Sequence, residues 1–255
     1  MLSTNAMMHP RYEPARQRAG PMQPIPEDWA SAVAVVAHPD DLEYGVAAAV
    51  ARWTGQGKKV AYLLATRGEA GIAGMDPAQV GPLRVEEEQR SAAVVGVTQV
   101  EFLDHADGLV EYGVPLRRDL AAAFRRLRPE VVITMSFDLT WGEDGPVNHA
   151  DHRAVGLAVL DACRDADNEW VFPEAGEAWH GIRDAYVAAA GNPTHFADVT
   201  GTIDAGVASL REHRAYIEGL GGDFDADEFL RKMAGYVGLG AGTEYAVGFR
   251  RYPMG

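Results

Sequence analysis

The side chains in this sequence that could do chemistry are concentrated in two short clusters of histidine and aspartate. The first cluster, His38–Asp41, reads His-Pro-Asp-Asp and follows an apolar run, and the second, His149–His152, reads His-Ala-Asp-His. Zinc binds imidazole nitrogen and carboxylate oxygen, and a catalytic zinc site usually has three protein ligands and one open position. The two clusters supply such a ligand set and leave a carboxylate to spare. They therefore predict a metal-dependent hydrolase.

The spacing within the clusters limits which side chains can share one metal ion. His149 and His152 lie on the same face if a helix begins at this point. Asp40 and Asp41 are adjacent and cannot both point at one ion, so one could bind the metal while the other accepts a proton from water as a general base. A protonated histidine could stabilise an oxyanion, and Asp151 could orient an imidazole through its second nitrogen. An aspartate that only caps the next helix is the alternative, which the two histidine clusters together disfavour.

Both clusters follow predicted strands, which determines where we expect them in the fold. The sequence pattern predicts strands at residues 33–37, 59–65, 100–103, 130–135 and 184–190, helices at 42–54, 83–95, 116–127, 149–163, 205–218 and 226–236, loops at 68–82 and 137–147, and a closing strand or coil at 245–252. This alternation indicates an α/β fold, a Rossmann-like and mostly parallel sheet with helices on both faces. With strand order 3-2-1-4-5, the carboxyl ends of the first and fourth strands meet where the order reverses, and ligands bind there.

Composition and charge restrict the domain organisation and the partners. Residues 1–29, rich in proline, predict an N-terminal arm on the surface or on a neighbouring subunit of a homo-oligomer, and residues 30–255 predict one domain. The net charge of −14 argues against a nucleic-acid partner and an anionic membrane surface. No apolar stretch approaches the roughly 18 residues that span a bilayer, and no signal-peptide core is recognised. With a single cysteine, Cys163, expected to be a buried structural thiol, the chain is predicted to be cytoplasmic.

The order of these motifs resembles that of the LmbE-like (PIG-L) family of zinc-dependent N-deacetylases, whose fold is Rossmann-like. The resemblance covers residues 32–252. Besides the two clusters, it includes Gly-Glu-x-Gly at 68–71, Arg84-x-x-Glu87, Asp107-Gly108 and the basic-aromatic stretch near His213.

The resemblance also implies a role for each residue of the two clusters. The implied zinc ligands are His38, Asp41 and His152. Another divalent ion such as Fe²⁺ is an alternative to zinc, because availability in the cell decides between them. Asp40 would be the general base that activates water. His149 would be the electrostatic or acid partner, tuned by Asp151.

The family hydrolyses the acetamide of N-acetylglucosamine-type sugars, so the resemblance implies an amino-sugar substrate, here expected within a glycoconjugate or natural-product glycoside. The residues expected to contact it are Arg67, Glu69, Asp107 and Trp141. Val147 stands where some members have tyrosine, and residues 245–249 depart from the family pattern. These departures predict a substrate other than that of the thiol-biosynthesis deacetylases. Arg84 and Glu87, one helical turn apart, are expected to pair with each other.

Three other functions can be weighed against this hypothesis. A metal-dependent amidase that cleaves a larger amide, such as a thiol conjugate, would differ in the size of its pocket. A non-catalytic sugar-binding or metal-binding protein is disfavoured because Asp40, the candidate base, is present. A dinucleotide-binding Rossmann protein would need Gly-x-Gly-x-x-Gly after the first strand, where this chain has His-Pro-Asp-Asp.

Overall fold

The apolar runs of the sequence form strands of one sheet. The structure is a computed structural model, and it describes residues 21–141, 145–220 and 224–254. The strands are β1 (Gln23–Pro24), β2 (Ser31–Val36), β3 (Lys59–Leu64), β4 (Gln99–Phe102), β5 (Val131–Met135), β6 (Asp184–Ala188), β7 (His195–Asp198) and β8 (Ala246–Pro253). Their order across the sheet is β1-β7-β8-β6-β5-β2-β3-β4.

The parallel part of the sheet carries the residues that lead into the two clusters. β4, β3, β2, β5 and β6 are neighbours in that order, and every pair among them is parallel. This confirms the predicted strand order and the mostly parallel α/β fold. β5 and β6 are buried along their whole length, as expected for strands covered on both faces. β8 runs antiparallel to both β6 and β7.

Helices cover both faces of the sheet, as the sequence predicts. They are α1 (Asp41–Gly45), α2 (Ala47–Gly55), α3 (Pro77–Val94), α4 (Val114–Leu127), α5 (Ala150–Asp167), α6 (Ile203–Leu210), α7 (Arg214–Leu220) and α8 (Ala226–Ala241), with a 3₁₀ turn at Pro173–Ala175. One core packs α1, α2, α6 and α8 on the sheet and includes Trp53 and Phe249. The other packs α4 and α5 on the opposite face and includes Phe124 and Cys163. Cys163 is buried and unpaired, as predicted.

Two of the predicted helices are each interrupted in the structure. The predicted helix at 42–54 is divided into α1 and α2 because Val46 leaves the helical conformation, with φ −136°. The predicted helix at 205–218 is divided into α6 and α7 at residues 211–213.

Helix α3 begins earlier than predicted, inside the region expected to be a loop. The Asp76 side chain accepts a hydrogen bond from Ala78 N (2.9 Å), and Pro77 occupies the first helical position, where its missing N–H costs nothing. Pro82 therefore lies within α3 instead of ending the loop before it. The strands β1 and β7 were not predicted, because β1 has only two residues and β7 has only two buried residues between polar ends.

The predicted N-terminal arm is described only from residue 21. β1 pairs with β7 at the edge of this chain's own sheet. The Glu27 carboxylate accepts hydrogen bonds from Arg52 Nε (2.8 Å) and Trp53 Nε1 (2.9 Å) on α2. Residues 1–20 lie outside the described residues, so the arm on a neighbouring subunit stays a prediction. Within the described ranges, no helix combines the length and apolar character needed to cross a membrane.

Candidate active site

The two clusters meet at the carboxyl edge of the sheet. His38 follows the end of β2, and His149 and His152 lie at the beginning of α5, which follows the neighbouring strand β5. The ring centroid of His38 lies 5.2 Å from that of His149 and 5.1 Å from that of His152. The strand order thus brings the clusters together, as expected at the point where it reverses.

Three side chains of the clusters point their ligand atoms at one another. His38 Nδ1 lies 3.2 Å from His152 Nε2 and 3.6 Å from Asp41 Oδ2. His152 Nε2 lies 3.0 Å from Asp41 Oδ1. Two imidazole nitrogens and a carboxylate that converge in this way form a donor set that suits zinc or a similar divalent cation. The residues therefore fit a metal ion.

The remaining nitrogens of both histidines are held by neighbouring side chains. His38 Nε2 lies 3.0 Å from Asp107 Oδ1 and 3.2 Å from Asp151 Oδ2. His152 Nδ1 lies 3.0 Å from Asn148 Oδ1. Metal-binding histidines usually donate their other ring N–H to such acceptors, which fixes the ring and its tautomer. His38 Nδ1 and His152 Nε2 are thereby left for the metal.

Asp151 lies against His38, whereas the resemblance implied that it tunes His149. Its carboxylate also accepts hydrogen bonds from Gly108 N (2.7 Å) and Val110 N (3.2 Å). His38, His149 and Asp151 form a second group that could hold a metal ion. We favour the group with Asp41 and His152, because both oxygens of Asp151 already accept backbone hydrogen bonds.

The charges around His38 favour a cation. Burial lowers the pKa of His38, but hydrogen bonds with Asp107, Asp151 and Asp41 outweigh burial and raise it to about 12. Burial raises the pKa of Asp41, but His152 and His38 outweigh burial and hold it well below its usual range. The pocket therefore draws positive charge to this point, as a proton or as a metal ion.

Asp40 lies beside the metal-ligand group in a strained conformation. Its φ of +88° is in the left-handed region, and its N–H donates to Glu88 Oε2 (3.3 Å). Burial raises the pKa of Asp40 to about 7, and the positive charge of Arg84 limits the rise. A general base works best when its pKa is near the working pH, so this carboxylate suits that task.

Arg84 holds Asp40 and does not pair with Glu87 as expected. Arg84 Nη2 donates to Asp40 Oδ2 (3.0 Å) and to Pro39 O (2.5 Å). Glu87 Oε1 instead accepts a hydrogen bond from Ala215 N (2.7 Å) at the beginning of α7. The spacing of two residues on one helix predicted a pair, but the packing of α3 against the cluster decides the partners.

Two glycines of the Gly-Glu-x-Gly element make room for this arginine. Arg84 Nη1 donates to Gly68 O (3.1 Å). A Cβ atom at Gly68 or at Gly71 would lie 2.3 Å from Arg84 Nη1. The glycines are therefore required for the close approach of the guanidinium.

A buried polar network supports Asp40 from behind. His213 Nε2 lies 3.4 Å from Glu43 Oε2 and 3.7 Å from Glu88 Oε2, and Ser91 Oγ donates to Glu43 Oε1 (2.6 Å). Burial and the neighbouring Glu43 raise the pKa of Glu88 well above its usual range. Burial lowers the pKa of His213, but Glu43 outweighs it and the pKa is raised. The network connects the loop of Asp40 to α3 and to the segment between α6 and α7.

A cavity of about 570 Å³ opens above the metal-ligand group. Two of the four expected substrate contacts, Asp107 and Trp141, line this cavity, and the Trp141 ring lies 5.7 Å from that of His152. The other two do not line it. Arg67 Nη2 pairs with Asp104 (3.0 Å), and Glu69 Oε1 accepts a hydrogen bond from Asp107 N (2.9 Å). The loop after β3 reaches the cavity through Ala70 and Gly71, but the side chains of Arg67 and Glu69 contact the loop after β4 instead.

Several lining residues were not expected. They are Tyr44, Arg84, Met135, Ala189, Tyr216, Phe229 and Met233. Tyr44 could have been found, because on a helix it shares a face with Asp40 and Asp41. Phe229 and Met233 on α8 could not, because no local pattern shows which helix packs across the cavity.

Comparisons with known proteins show the family of this chain. The family model described as PIG-L, GlcNAc-PI de-N-acetylase, matches residues 33–163, just over half of the chain. The chain belongs to the PIG-L family. The resemblance seen in the motifs is thereby confirmed. The family model and the curated relatives are those of N-deacetylases, hydrolases that cleave amide bonds, and such deacetylases typically depend on a metal ion.

The relatives cover most of the chain. Diacetylchitobiose deacetylase of Thermococcus kodakarensis is 27% identical, over 85% of this chain and 80% of that protein. The 1D-myo-inositol 2-acetamido-2-deoxy-alpha-D-glucopyranoside deacetylase of Kineococcus radiotolerans is 29% identical, over 72% of this chain and 68% of that protein. The structure of N,N'-diacetylchitobiose deacetylase from Pyrococcus horikoshii has the same fold, with a TM-score of 0.79, 22% identity and coverage of 89% and 85% of the two chains.

Proposed function

We propose that this PIG-L protein is a zinc-dependent N-deacetylase that hydrolyses the acetamide of an amino sugar within a glycoconjugate. The observation that carries the proposal is that different residues of the same site are placed for metal binding and for proton transfer. His38, Asp41 and His152 converge as a ligand set, while Asp40 stays outside that set on Arg84. An enzyme that activates water at a metal needs both parts, and a protein that only binds a metal or a sugar does not need the second.

The chemistry follows from these positions. A divalent ion held by His38, Asp41 and His152 would polarise the amide carbonyl and lower the pKa of water. Asp40 removes a proton from the attacking water as its oxygen bonds to the carbonyl carbon. His149, at the exposed beginning of α5, donates a hydrogen bond to the developing oxyanion. When the C–N bond breaks, the proton on Asp40 passes to the amine, and the products are acetate and a free amino sugar.

Arg84 and Asp107 position the groups that act. Arg84 keeps the Asp40 carboxylate beside the metal ligands. Asp107 fixes the ring of His38, and its second oxygen accepts a hydrogen bond from Ala70 N (2.8 Å). We assign Asp107 to the orientation of His38, with any contact to a sugar hydroxyl as a second task.

The size and lining of the cavity support a sugar conjugate as the substrate. A volume of about 570 Å³ lies within the usual range for small-molecule sites, about 300–1,000 Å³. Trp141 and Tyr216 offer aromatic rings on the walls of this cavity. The two curated relatives described above are named as deacetylases of amino sugars in conjugated form. We extend that substrate class to this chain. We also assign the protein to the cytoplasm, where its unpaired cysteine would stay reduced.

The test is acetate release from a panel of N-acetylglucosamine derivatives by the metal-loaded and the chelated protein. The panel contains the free sugar, an inositol-linked form, diacetylchitobiose and an antibiotic glycoside. Release from at least one derivative, restored by Zn²⁺ after chelation, is expected. Turnover of larger amides alone would favour the amidase instead, and no turnover with bound metal would contradict the proposal.

A further inference from the structure

A second cavity, smaller and apolar, lies next to the proposed catalytic site. Its volume is about 130 Å³, and it is formed between α1, α2, α6, α8 and β8. Three residues, Tyr44, Ala189 and Met233, line both this cavity and the larger one. The two cavities are therefore neighbours that share a wall. We call the smaller one the side cavity.

Two parts of the wall of the side cavity are closely packed. A Cβ atom on Gly206 would lie 2.8 Å from Ala48 Cβ, so α6 and α2 touch there with no space between them. A Cβ atom on Gly248 would lie 3.1 Å from Pro193 Cβ. The backbone packing is tight at these two contacts. The side cavity exists because residues between them, such as Ala234, have small side chains.

The lining offers no free charge to a ligand. Glu43 is the one charged residue in the described lining. Its carboxylate already has partners in the buried polar network. Oε1 accepts a hydrogen bond from Ser91 Oγ (2.6 Å), and Oε2 lies 3.4 Å from His213 Nε2. A space of about 150 Å³ with apolar walls is large enough for benzene. The side cavity has a similar volume, about 130 Å³, so its size and lining suit a hydrocarbon group of roughly six carbon atoms.

We propose that the side cavity binds the acyl chain of the substrate, so that the enzyme hydrolyses N-acyl groups larger than acetyl. This inference rests on the proposed function. The reacting carbonyl must lie beside Asp40 and the metal ligands, and Tyr44 lies one helical turn after Asp40 on α1. In this assignment the acyl chain passes Tyr44 into the side cavity, while the sugar stays in the larger one.

Met233 is suited to admit such a chain. It lies on α8 at the shared wall and is 49% exposed, so its side chain is not fixed by a core. Methionine has three rotatable bonds and no branch at Cβ, which lets it move aside at little cost.

The test measures kcat/KM of the metal-loaded full-length protein on N-acyl glucosamines from acetyl to octanoyl. Burial of each added methylene is expected to raise kcat/KM about fourfold. The rise is expected to stop at about six carbons, when the side cavity is full. A flat or falling series, with the acetyl substrate still hydrolysed, would overturn the inference and leave the proposed function in place.

A pair of variants on α8 tests whether the side cavity causes the effect. Ala234→Leu fills the cavity and is expected to reduce the ratio of hexanoyl to acetyl kcat/KM at least tenfold. Lys232→Leu adds the same side chain on the exposed face of α8 and is expected to leave that ratio unchanged. Equal ratios in both variants would contradict the assignment. The series with the unmodified protein decides the question even if Ala234→Leu fails to fold.

A second series separates the acyl chain from the aglycone. In it the acetyl group is kept and the glycoside carries methyl to octyl groups. A gain in this series that Ala234→Leu removes, with no gain in the acyl series, would overturn the acyl assignment.

Binding of the carboxylate products by calorimetry gives a readout that needs no turnover. Hexanoate is expected to bind the metal-loaded protein more tightly than acetate does, and Ala234→Leu is expected to remove the difference. If no amide is hydrolysed but hexanoate is preferred, the proposed function fails and the side cavity stands. Equal binding of both acids would overturn the side-cavity inference.

Discussion

The active-site cavity has a polar wall and an apolar wall, and different interactions hold them. The polar wall consists of His38, Asp40, Asp41, Arg84 and His152. These side chains are mostly buried and are fixed by hydrogen bonds and charges at distances near 3 Å. Such a network allows each group few alternative positions.

The apolar wall consists of Tyr44, Tyr216, Phe229 and Met233. It is held mainly by packing, with ring contacts such as that between Tyr44 and Phe229 at 5.5 Å, and the Arg84 guanidinium lies 4.4 Å from the centre of the Tyr216 ring. Phe229 is 36% exposed and Met233 is 49% exposed. Contacts of this kind fix position less tightly than a buried ionic network does. We infer that the polar wall determines the reaction, and that the apolar wall determines which molecules are accepted.

The sharpest test of this division is Asp40→Asn. The substitution removes the base and keeps its shape and the metal ligands, so kcat is expected to fall by about 10²–10⁴ while bound metal stays the same. Enzyme kinetics and elemental analysis of the purified protein check both parts.

His152→Ala is the matching control, because it removes a ligand and is expected to lose metal and activity together. If Asp40→Asn lost metal as completely as His152→Ala, Asp40 would be a ligand, and the roles of Asp40 and Asp41 would be reversed.

A second variant disturbs the polar wall without replacing any of its members. In Gly71→Ala the added methyl group would lie 2.3 Å from Arg84 Nη1. Arg84 is 2% exposed and held by several hydrogen bonds, so it can move only by releasing Asp40. We expect kcat to fall about tenfold to a hundredfold, with little change in KM.

Gly55→Ala is the control for this variant, because a Cβ atom at Gly55 meets nothing within 4 Å. Unchanged kcat in both variants would show that Arg84 does not position Asp40.

The polar wall could be predicted from the sequence to a large extent, for a topological reason. In a parallel sheet the carboxyl ends of neighbouring strands lie on one edge, so the residues after β2 and before α5 had to meet once the strand order was known. The identity of the clusters then indicated a metal site. What the pattern did not show is the partner of each side chain. Arg84 contacts Asp40, and Asp151 contacts His38.

The apolar wall could not be predicted, because its members follow no pattern that distinguishes them from core residues. Phe229 and Met233 lie on α8 at helical spacing, which indicates an amphipathic helix and nothing about the cavity. The same limit applies to the loop after β3. Arg67 and Glu69 follow β3 as the pattern predicts, but the direction of each side chain depends on Asp104 and on Asp107 N.

A change in the apolar wall is expected to act on binding. Phe229→Ala removes an aromatic ring that lines the cavity, and we expect KM to rise by up to about tenfold with kcat changed by less than about twofold.

Tyr236→Ala is the control on the same helix, because this side chain is 78% exposed and does not line the cavity. A large loss of kcat in Phe229→Ala would mean that the apolar wall also positions the reacting groups, and the division between the walls would fail.

The smallest effect is expected from a polar contact outside both walls. Glu27 lies at the amino end of β2, on the opposite edge of the sheet, and bonds Arg52 and Trp53. Burial raises the pKa of Glu27, but the hydrogen bonds from Arg52, Gln56 and Trp53 together outweigh burial and lower it below the usual 4.5. A lowered pKa in the folded state stabilises the protein above 4.5, and this contribution is lost as the pH falls through the lowered value.

Glu27→Gln is therefore expected to reduce the free energy of unfolding at pH 7 by about 0.2–1 kcal/mol, since the ion pair is partly exposed. The difference from the unmodified protein should shrink as the pH falls below about 4.5. Urea unfolding at several pH values measures this, and kcat and KM should not change. A change in either constant would mean that polar contacts throughout the molecule influence catalysis. The inference that the polar wall in particular determines the reaction would then be wrong.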